Sequence, residues 1–348
     1  MKILVCGDVH WSQYSSIVRG RGEKYSKRLE NLIKSVNWVE QLAWSCGCEA
    51  VINLGDFFDS TQLSAEEVSA LKEVQWAPIA HVFITGNHET NVSSLEFATN
   101  DLFNIHGDFV VINKPECFHI EGANVEFAYI PYILERDRQP IEYYLTPYKE
   151  TRIMFSHNDL KDIQYGAFLS TEGFTVEEIE NNCDLCFNGH IHHCSQVSPK
   201  IINSGNLTGQ NFTEDAYKYS HCVQIFDTNT LHVDFYENPH AMNFYRIDFT
   251  SLTESDAVKA LEKIKTNAVL TVKTNYKSKD HIQELLNRTD ISEKILQYRI
   301  TVEPELTEVE STKNEFETVD HLKQFENYVA RCIGSNDIIK EELSIVLR

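Results

Sequence analysis

Seven side chains of kinds that bind divalent cations stand in this 348-residue chain directly after short apolar runs. Ile3 to Gly7 leads into Asp8-Val9-His10, and Val51 to Gly55 into Asp56-Phe57-Phe58-Asp59. His81 to Gly86 leads into Asn87-His88-Glu89, Ile153 to Ser156 into His157, and Leu185 to Gly189 into His190-Ile191-His192. Two carboxylates, one amide oxygen and four imidazoles make a mixed oxygen and nitrogen ligand set without thiolate. Such a set favours Mn²⁺, Fe²⁺ or Zn²⁺ over Ca²⁺ or Mg²⁺ cages, and it is not a structural cysteine zinc site. Two metals roughly 3.5–4 Å apart, bridged by a carboxylate, can clamp the attacking and leaving oxygens of a phosphoryl group. Coordination also lowers the pKa of water towards ~7. Any one of these short motifs arises by accident, but five in order, each at the end of an apolar run, form a strong signal.

Residues so far apart in sequence can meet only if the runs before them are strands ending at one edge. In open α/β sheets, ligand sites form beyond the carboxyl ends of strands. Glycine precedes the polar residues in four of the five cases, where a sharp turn or close backbone approach is needed. Tyr25, Leu29, Leu32, Ile33, Val36, Val39 and Leu42 recur at spacings of three and four, which predicts a helix with one apolar stripe. Ser64, with Glu67 three residues on, predicts a capping box opening a helix that runs through Leu71. Further β-rich pieces lie at 110–112, 125–130, 201–202, 222–226 and 231–236. The expected fold class is α/β, layered, with a sheet on each side of the core. After Asp248 the pattern reads helix (254–265), strand (268–274), helix (279–287) and strand (295–302), a small α+β module. The expected domains are therefore 1–248, 249–303 and a linker with C-terminal helices, 304–348. In that last part Phe316, Val319, Leu322, Phe325, Tyr328 and Val329 repeat at helical spacing.

The composition, 42% hydrophobic and 24% charged, is globular. No run approaches the 18 apolar residues of a membrane span, and the opening Lys2-Ile3-Leu4-Val5-Cys6 is too short for a signal-peptide core. Formal net charge is −21, which argues against free-standing, non-specific binding to a polyanion. A phosphate substrate is still compatible, because bound divalent cations reverse the local sign. Nine cysteines without zinc-finger spacing read as buried thiols in a reducing compartment, so the expected location is the cytoplasm.

The series D-x-H, G-D-x-x-D, G-N-H-E, H and G-H-x-H, spanning residues 8–192, resembles the calcineurin-like metallophosphoesterase superfamily. The resemblance implies a four-layer α-β-β-α sandwich and two divalent ions, Mn²⁺ being expected. One ion would be held by Asp8, His10, Asp56 and His192. The other would be held by Asp56, Asn87, His157 and His190, with Asp56 bridging. His88 would be catalytic, donating a proton to the leaving oxygen or orienting the phosphate. Within the superfamily, the opening Met-Lys-Ile-Leu, Gly55-Asp56-Phe57-Phe58-Asp59 and Ile202-Asn203-Ser204-Gly205-Asn206 are similar to the SbcD-type double-strand-break nuclease subunit and its phage counterparts. That likeness implies a DNA exonuclease and endonuclease whose C-terminal helices hold an SMC-like coiled-coil ATPase. It also implies a small capping domain, and a homodimer is expected. Two departures are notable: Asp59 stands where some members carry a second catalytic His, and Glu89 follows Asn87-His88 where Asp is commoner.

Arg19, Arg21, Lys24, Lys27 and Arg28 make a segment of net +3 together with Glu23 and Glu30. It is a candidate for contact with a phosphate backbone, Arg19 and Arg21 first, and equally a solvated face. His193 and the tyrosines 129, 132, 143 and 144 read as structural rather than as a ligand or base-stacking residues. Two rivals remain. Ser/Thr phosphatases of the superfamily continue the second motif as G-D-x-x-D-R-G, whereas Ser60-Thr61 follow Asp59 here. A small-substrate phosphodiesterase would not need residues 250–348. A scaffold on a dead core should have lost ligands, yet all seven positions are filled.

Overall fold

Alternate residues along a strand point to opposite faces, and in the central strands of this fold both faces are buried. The strands are β1 (Lys2–Cys6), β2 (Ala50–Asn53), β3 (Ala80–Ile84), β4 (Phe109–Ile112), β5 (Glu116–Ile120) and β6 (Val125–Ile130). They continue as β7 (Thr151–Ser156), β8 (Leu185–Asn188), β9 (Ser195–Gln196), β10 (Ile201–Asn203), β11 (Cys222–Asp227) and β12 (Val233–Glu237). The computed structural model describes residues 1–303 apart from 92–93, 106, 121–123, 148–150 and 166–167.

One sheet has the order β12-β11-β1-β2-β3-β4, in which β1 to β4 run parallel. The other has the order β9-β10-β8-β7-β6-β5, with β10, β8, β7 and β6 parallel. Ile3, Val5, Ile52, Leu54 and Ile84 of the first sheet face Phe127, Ile153, Phe155, Phe187 and Ile202 of the second, closing a core between them. Leu4, Cys6 and Val51 face the other way, onto helix α1 (Lys27–Ser45), which buries Leu29, Leu32, Val36 and Val39. The Ser26 hydroxyl accepts from Leu29 N at the start of α1. Helix α2 (Ala65–Leu71) opens with the expected Ser64–Glu67 capping box. The outer face of the second sheet (Ile130, Met154, Cys186, Ile201) is covered by α3 (Val176–Asn182) through Ile179. The result is the four-layer α-β-β-α sandwich. Each fully buried aliphatic or aromatic side chain contributes about 1.5–3 kcal/mol, so the two sheets are held as a rigid frame.

A third sheet follows: β13 (Asn243–Asp248), β14 (Ala268–Asn275) and β15 (Ile295–Glu303), all parallel. Helices α4 (Glu254–Glu262) and α5 (Lys279–Asn287) cover it through Leu261, Ile282 and Leu286, packed on Tyr245, Leu270 and Val272. The module therefore takes in β13, which a boundary at 248 leaves with the core. The reason is that Phe244 to Asp248 alternate like the residues of β14, their partner strand. Gln297 of β15 ties the module to the loop before α1, accepting from Arg19 N at 3.2 Å and donating to Ile17 O at 2.7 Å. The C-terminal helices expected in 304–348 lie outside the described residues. No helix among the described residues is long and apolar enough to cross a membrane.

One buried ion pair joins β6 to β7, the strand that delivers His157. Arg152 Nε donates to Glu126 Oε1, while Thr146 Oγ1 donates to Glu126 Oε2 at 2.7 Å, and Glu126 is wholly buried. Arg152→Met strands that carboxylate and is expected to cost about 3–5 kcal/mol in urea denaturation, whereas the double change Glu126→Leu with Arg152→Met restores most of it. A loss below ~1 kcal/mol for the single variant, within the range of a surface pair, contradicts this.

Candidate metal centre

The carboxyl ends of β1, β2 and β3 in one sheet and of β7 and β8 in the other open onto the same edge, and all seven sequence-predicted ligands meet there. Three groups of ligand atoms each lie within 4.8 Å of one another: Asp8, His10 and His192; His10, Asp56 and His88; Asp56, His157 and His190. Asp56 is shared by two of them. Its Oδ2 stands 3.2 Å from His157 Nε2 and 4.0 Å from His10 Nε2, while its Oδ1 accepts from His88 N at 2.9 Å. Asn87 Oδ1 lies 3.2 Å from His157 Nε2 and 2.8 Å from His190 Nδ1.

The turns that deliver these residues are strained. His10, Asp56 and His190 have φ of 50°, 49° and 70°, in the left-handed region that L residues rarely occupy. Each such residue costs about 1–3 kcal/mol, and such residues cluster at functional sites. The His10 and Asp56 turns support each other, since Val9 N and His10 N both donate to Asp56 O. At Gly86 an added Cβ would stand 2.1 Å from Asp56 Oδ1, and at Gly55, φ 111°, 2.4 Å from His157 Nδ1. The glycines seen in the motifs therefore make room for the ligands themselves.

Each imidazole is oriented from behind by an acceptor, the arrangement that fixes tautomers in metal sites. His157 Nδ1 donates to Leu54 O at 2.8 Å, which turns Nε2 inward to the cluster. His10 Nδ1 lies 2.9 Å from Asp59 Oδ1, and His192 Nδ1 lies 3.1 Å from Glu214 Oε1. His190 is reversed: Nε2 lies 3.3 Å from Asp159 Oδ2, so Nδ1 is the nitrogen presented to the cluster. Asp159 and Glu214 were not foreseen. Asp159 carried a weak signal, two residues after His157, and Glu214 carried none. Asp59 is explained as the carboxylate behind His10. Its backbone oxygen also accepts from His88 Nδ1 at 3.0 Å. Glu89 does not face the cluster: wholly buried, it accepts from Gly86 N at 2.8 Å and Phe58 N at 3.1 Å, tying two ligand turns together. Burial first, and then the Asp56 charge, push its pKa up to about 8.

The donor set fits a pair of divalent ions. Among the described residues Asp8 Oδ2 is buried without any hydrogen-bond donor, a costly state for a carboxylate unless a cation meets it. His10 Nε2 and His192 Nε2 converge to 3.1 Å, a spacing suited to two nitrogens sharing one ion at ~2.1 Å. The electrostatics also call for positive charge. Burial opposes a proton on His157, but the Asp56 and Asp8 carboxylates outweigh it and raise the pKa to about 9. Burial likewise acts against ionised Asp56, yet the imidazoles of His157, His10 and His88 hold its carboxyl well below the usual range.

The remaining sequence candidates are placed elsewhere. Arg21 is exposed and paired with Glu66 at 2.6 Å, and Arg19 is exposed; neither lines the cleft beside His10, which Arg28 does. His193 makes a ring contact with Tyr219, and Tyr129 is core, stacked on Phe155.

Removing a carboxylate behind a ligand weakens metal binding without deleting the ligand. Glu214→Gln and Asp159→Asn are each expected to lower Mn²⁺ affinity by ~10–100-fold in titration calorimetry. Unchanged affinity in both variants counts against the ligand arrangement.

Residues 1–194 match the calcineurin-like phosphoesterase family. No curated protein sequence matches the chain. Among solved structures it is similar to an archaeal phosphodiesterase at 14% identity, covering 68% of this chain and 99% of that one, with a TM-score of 0.35. A protein from Thermus thermophilus has 10% identity, 68% and 98% coverage and a TM-score of 0.39. A dimetal phosphatase from Danio rerio has 13% identity, 65% and 91% coverage and a TM-score of 0.36. With its five motifs gathered at one sheet edge, the chain belongs to the calcineurin-like phosphoesterase family of metal-dependent hydrolases.

Proposed function

We propose that this chain is a Mn²⁺-dependent DNA exonuclease and endonuclease, the nuclease subunit of an SMC-like ATPase-coupled recombination or repair complex. The observation that carries the reading is a carboxylate shared between two ligand groups in a site open along one side. Asp8, Asp56 and His157 are at most 2% exposed, while the side chains of His190, His192 and His88 are 21%, 30% and 42% exposed. Such a face admits a phosphodiester whose chain continues in both directions, rather than a small molecule enclosed in a pocket.

In this reading one ion takes Asp8, His10, Asp56 and His192, and the other takes Asp56, Asn87, His157 and His190. Bound there, the pair supplies Lewis acidity to a phosphoryl group and a water nucleophile at neutral pH. The chain does the rest. Asp59, Glu214, Asp159 and the Leu54 carbonyl hold the imidazoles in register. His88, its Nδ1 fixed on the Asp59 carbonyl and its side chain 42% exposed, can hold a proton for the leaving oxygen on Nε2. The module of β13 to β15 stands beside the loop that follows His10, a second wall that a small diester would not need. The amphipathic pattern of 316–347 supports an ATPase-binding role for the C-terminal segment, and a homodimer completes the proposed assembly.

Linear duplex and circular single-stranded DNA, incubated with Mn²⁺, test the proposal. Asp56→Asn is expected to slow cleavage at least ~10³-fold, the several kcal/mol that a metal pair supplies. His88→Ala is expected to cost ~10²–10⁴-fold while leaving Mn²⁺ binding in place. If both variants digest DNA as fast as wild type, the site assignment is wrong.

A further inference from the structure

Beside the metal centre lies a cleft of about 190 Å³ that runs from His10 past Tyr14 to Arg28 and Gln210. It is smaller than the ~300–1,000 Å³ of a site enclosing a whole small molecule, so it suits one unit of a longer chain. Arg28, the second residue of α1, is only 4% exposed. Its Nη1 donates to Gly209 O at 2.9 Å, and among the described residues its other N–H groups have no acceptor. A guanidinium carries five donors in a rigid fork and stays charged, so the remaining donors are available to an acceptor in the cleft that Arg28 lines. Burial lowers its pKa to about 10, against the pull of Glu214 and Asp59, so it remains a cation at neutral pH. Gln210 lines the same cleft, and among the described residues its buried Nε2 has no acceptor. Asp59, the one acidic residue lining the cleft among the described residues, is turned to His10 Nδ1. Tyr14, 71% exposed, stands at the rim.

We propose that Arg28, with Gln210, binds a second phosphate of the substrate, adjacent to the one hydrolysed at the metal centre. A ligand rich in acceptors and without donors matches two unsatisfied donor groups, and a phosphate takes an arginine fork in bidentate fashion. The assignment rests on the phosphodiesterase reading and narrows it. The preferred substrate is a strand of successive phosphodiesters, and Tyr14 at the rim lies where a base can stack. Arg28 is a binding residue; the alternative is a counter-ion that merely steadies Asp59 and Glu214 behind His10 and His192.

The two roles separate on substrates with and without a neighbouring phosphate. Wild type and Arg28→Gln are compared on a thymidine decamer and on bis(p-nitrophenyl) phosphate, which has a single phosphate. The variant is expected to lose ~10–100-fold in kcat/KM on the decamer, mostly through KM, and at least ten-fold less on the small diester. Fluorescence anisotropy of a labelled decamer in EDTA, which reads binding without metal, is expected to fall in parallel. A neutral methylphosphonate beside the scissile position should cost wild type a similar factor and cost Arg28→Gln almost nothing more, a test that does not need the variant to be fully stable. Equal losses on both substrates, or additive losses from the two changes, overturn the assignment and leave a supporting cation. A wild-type protein that cleaves the small diester but not the decamer sinks the nuclease reading itself, and Arg28's role with it.

Discussion

Two carboxylates, Asp8 and Asp56, are buried at one sheet edge among the imidazoles of His10, His157, His190 and His192. An ionised carboxylate withdrawn from water must be met by positive charge or by several donors. Among the described residues Asp56 has one backbone donor and nearby imidazoles, while Asp8 Oδ2 has no donor. This demand for cations organises the rest of the molecule. It explains the proton that the two acids hold on His157, the convergence of His10 and His192 nitrogens, and the donor set that suits a pair of ions.

Holding such a cluster together requires stiffness, and the sandwich supplies it. Left-handed backbone at His10, Asp56 and His190 is unfavourable for each residue alone. It persists because every one of these turns leaves a strand whose inward residues, Ile3 and Val5, Ile52, and Phe187, are locked between the sheets. Glu89 adds a polar clamp, bound to the backbone at Gly86 and Phe58, so the turns after β2 and β3 move as one body. The strain and the buried frame are two sides of one design: close-packed interiors deform little, and that is what lets ligands stay in place before any metal arrives.

Around the ligands runs a ring of acceptors drawn from scattered parts of the chain: the Leu54 carbonyl, Asp59, Asp159 and Glu214. They set which nitrogen of each imidazole faces inward, and so decide whether a histidine at the right place is a usable ligand. Glu214 also accepts from Gln210 N, which links the back of His192 to the cleft that Arg28 lines. The acceptor behind His192 and one lining residue of the cleft are thus supplied by the same loop.

The seven candidate ligands were legible in the sequence because each follows an apolar run that becomes a strand, and local hydrophobic pattern is what a strand is made of. Ser64 with Glu67, the α1 stripe and the 279–287 helix were legible for the same reason, since spacing along a helix is a local property. The membership of β13 in the third sheet was not, because a strand's pattern does not name its partner. Nor were Glu214 and Asp159, whose roles depend on which imidazole nitrogen the fold turns towards them. Arg28 is the clearest case. In sequence it is one of five basic residues in a segment of net +3, indistinguishable from Arg21. Folding pairs Arg21 with Glu66 in solvent and buries Arg28 beside His10 with donors to spare. Residue type and spacing determined what chemistry the chain can do; burial and side-chain direction, which arise only when distant segments pack, decided which charges take part.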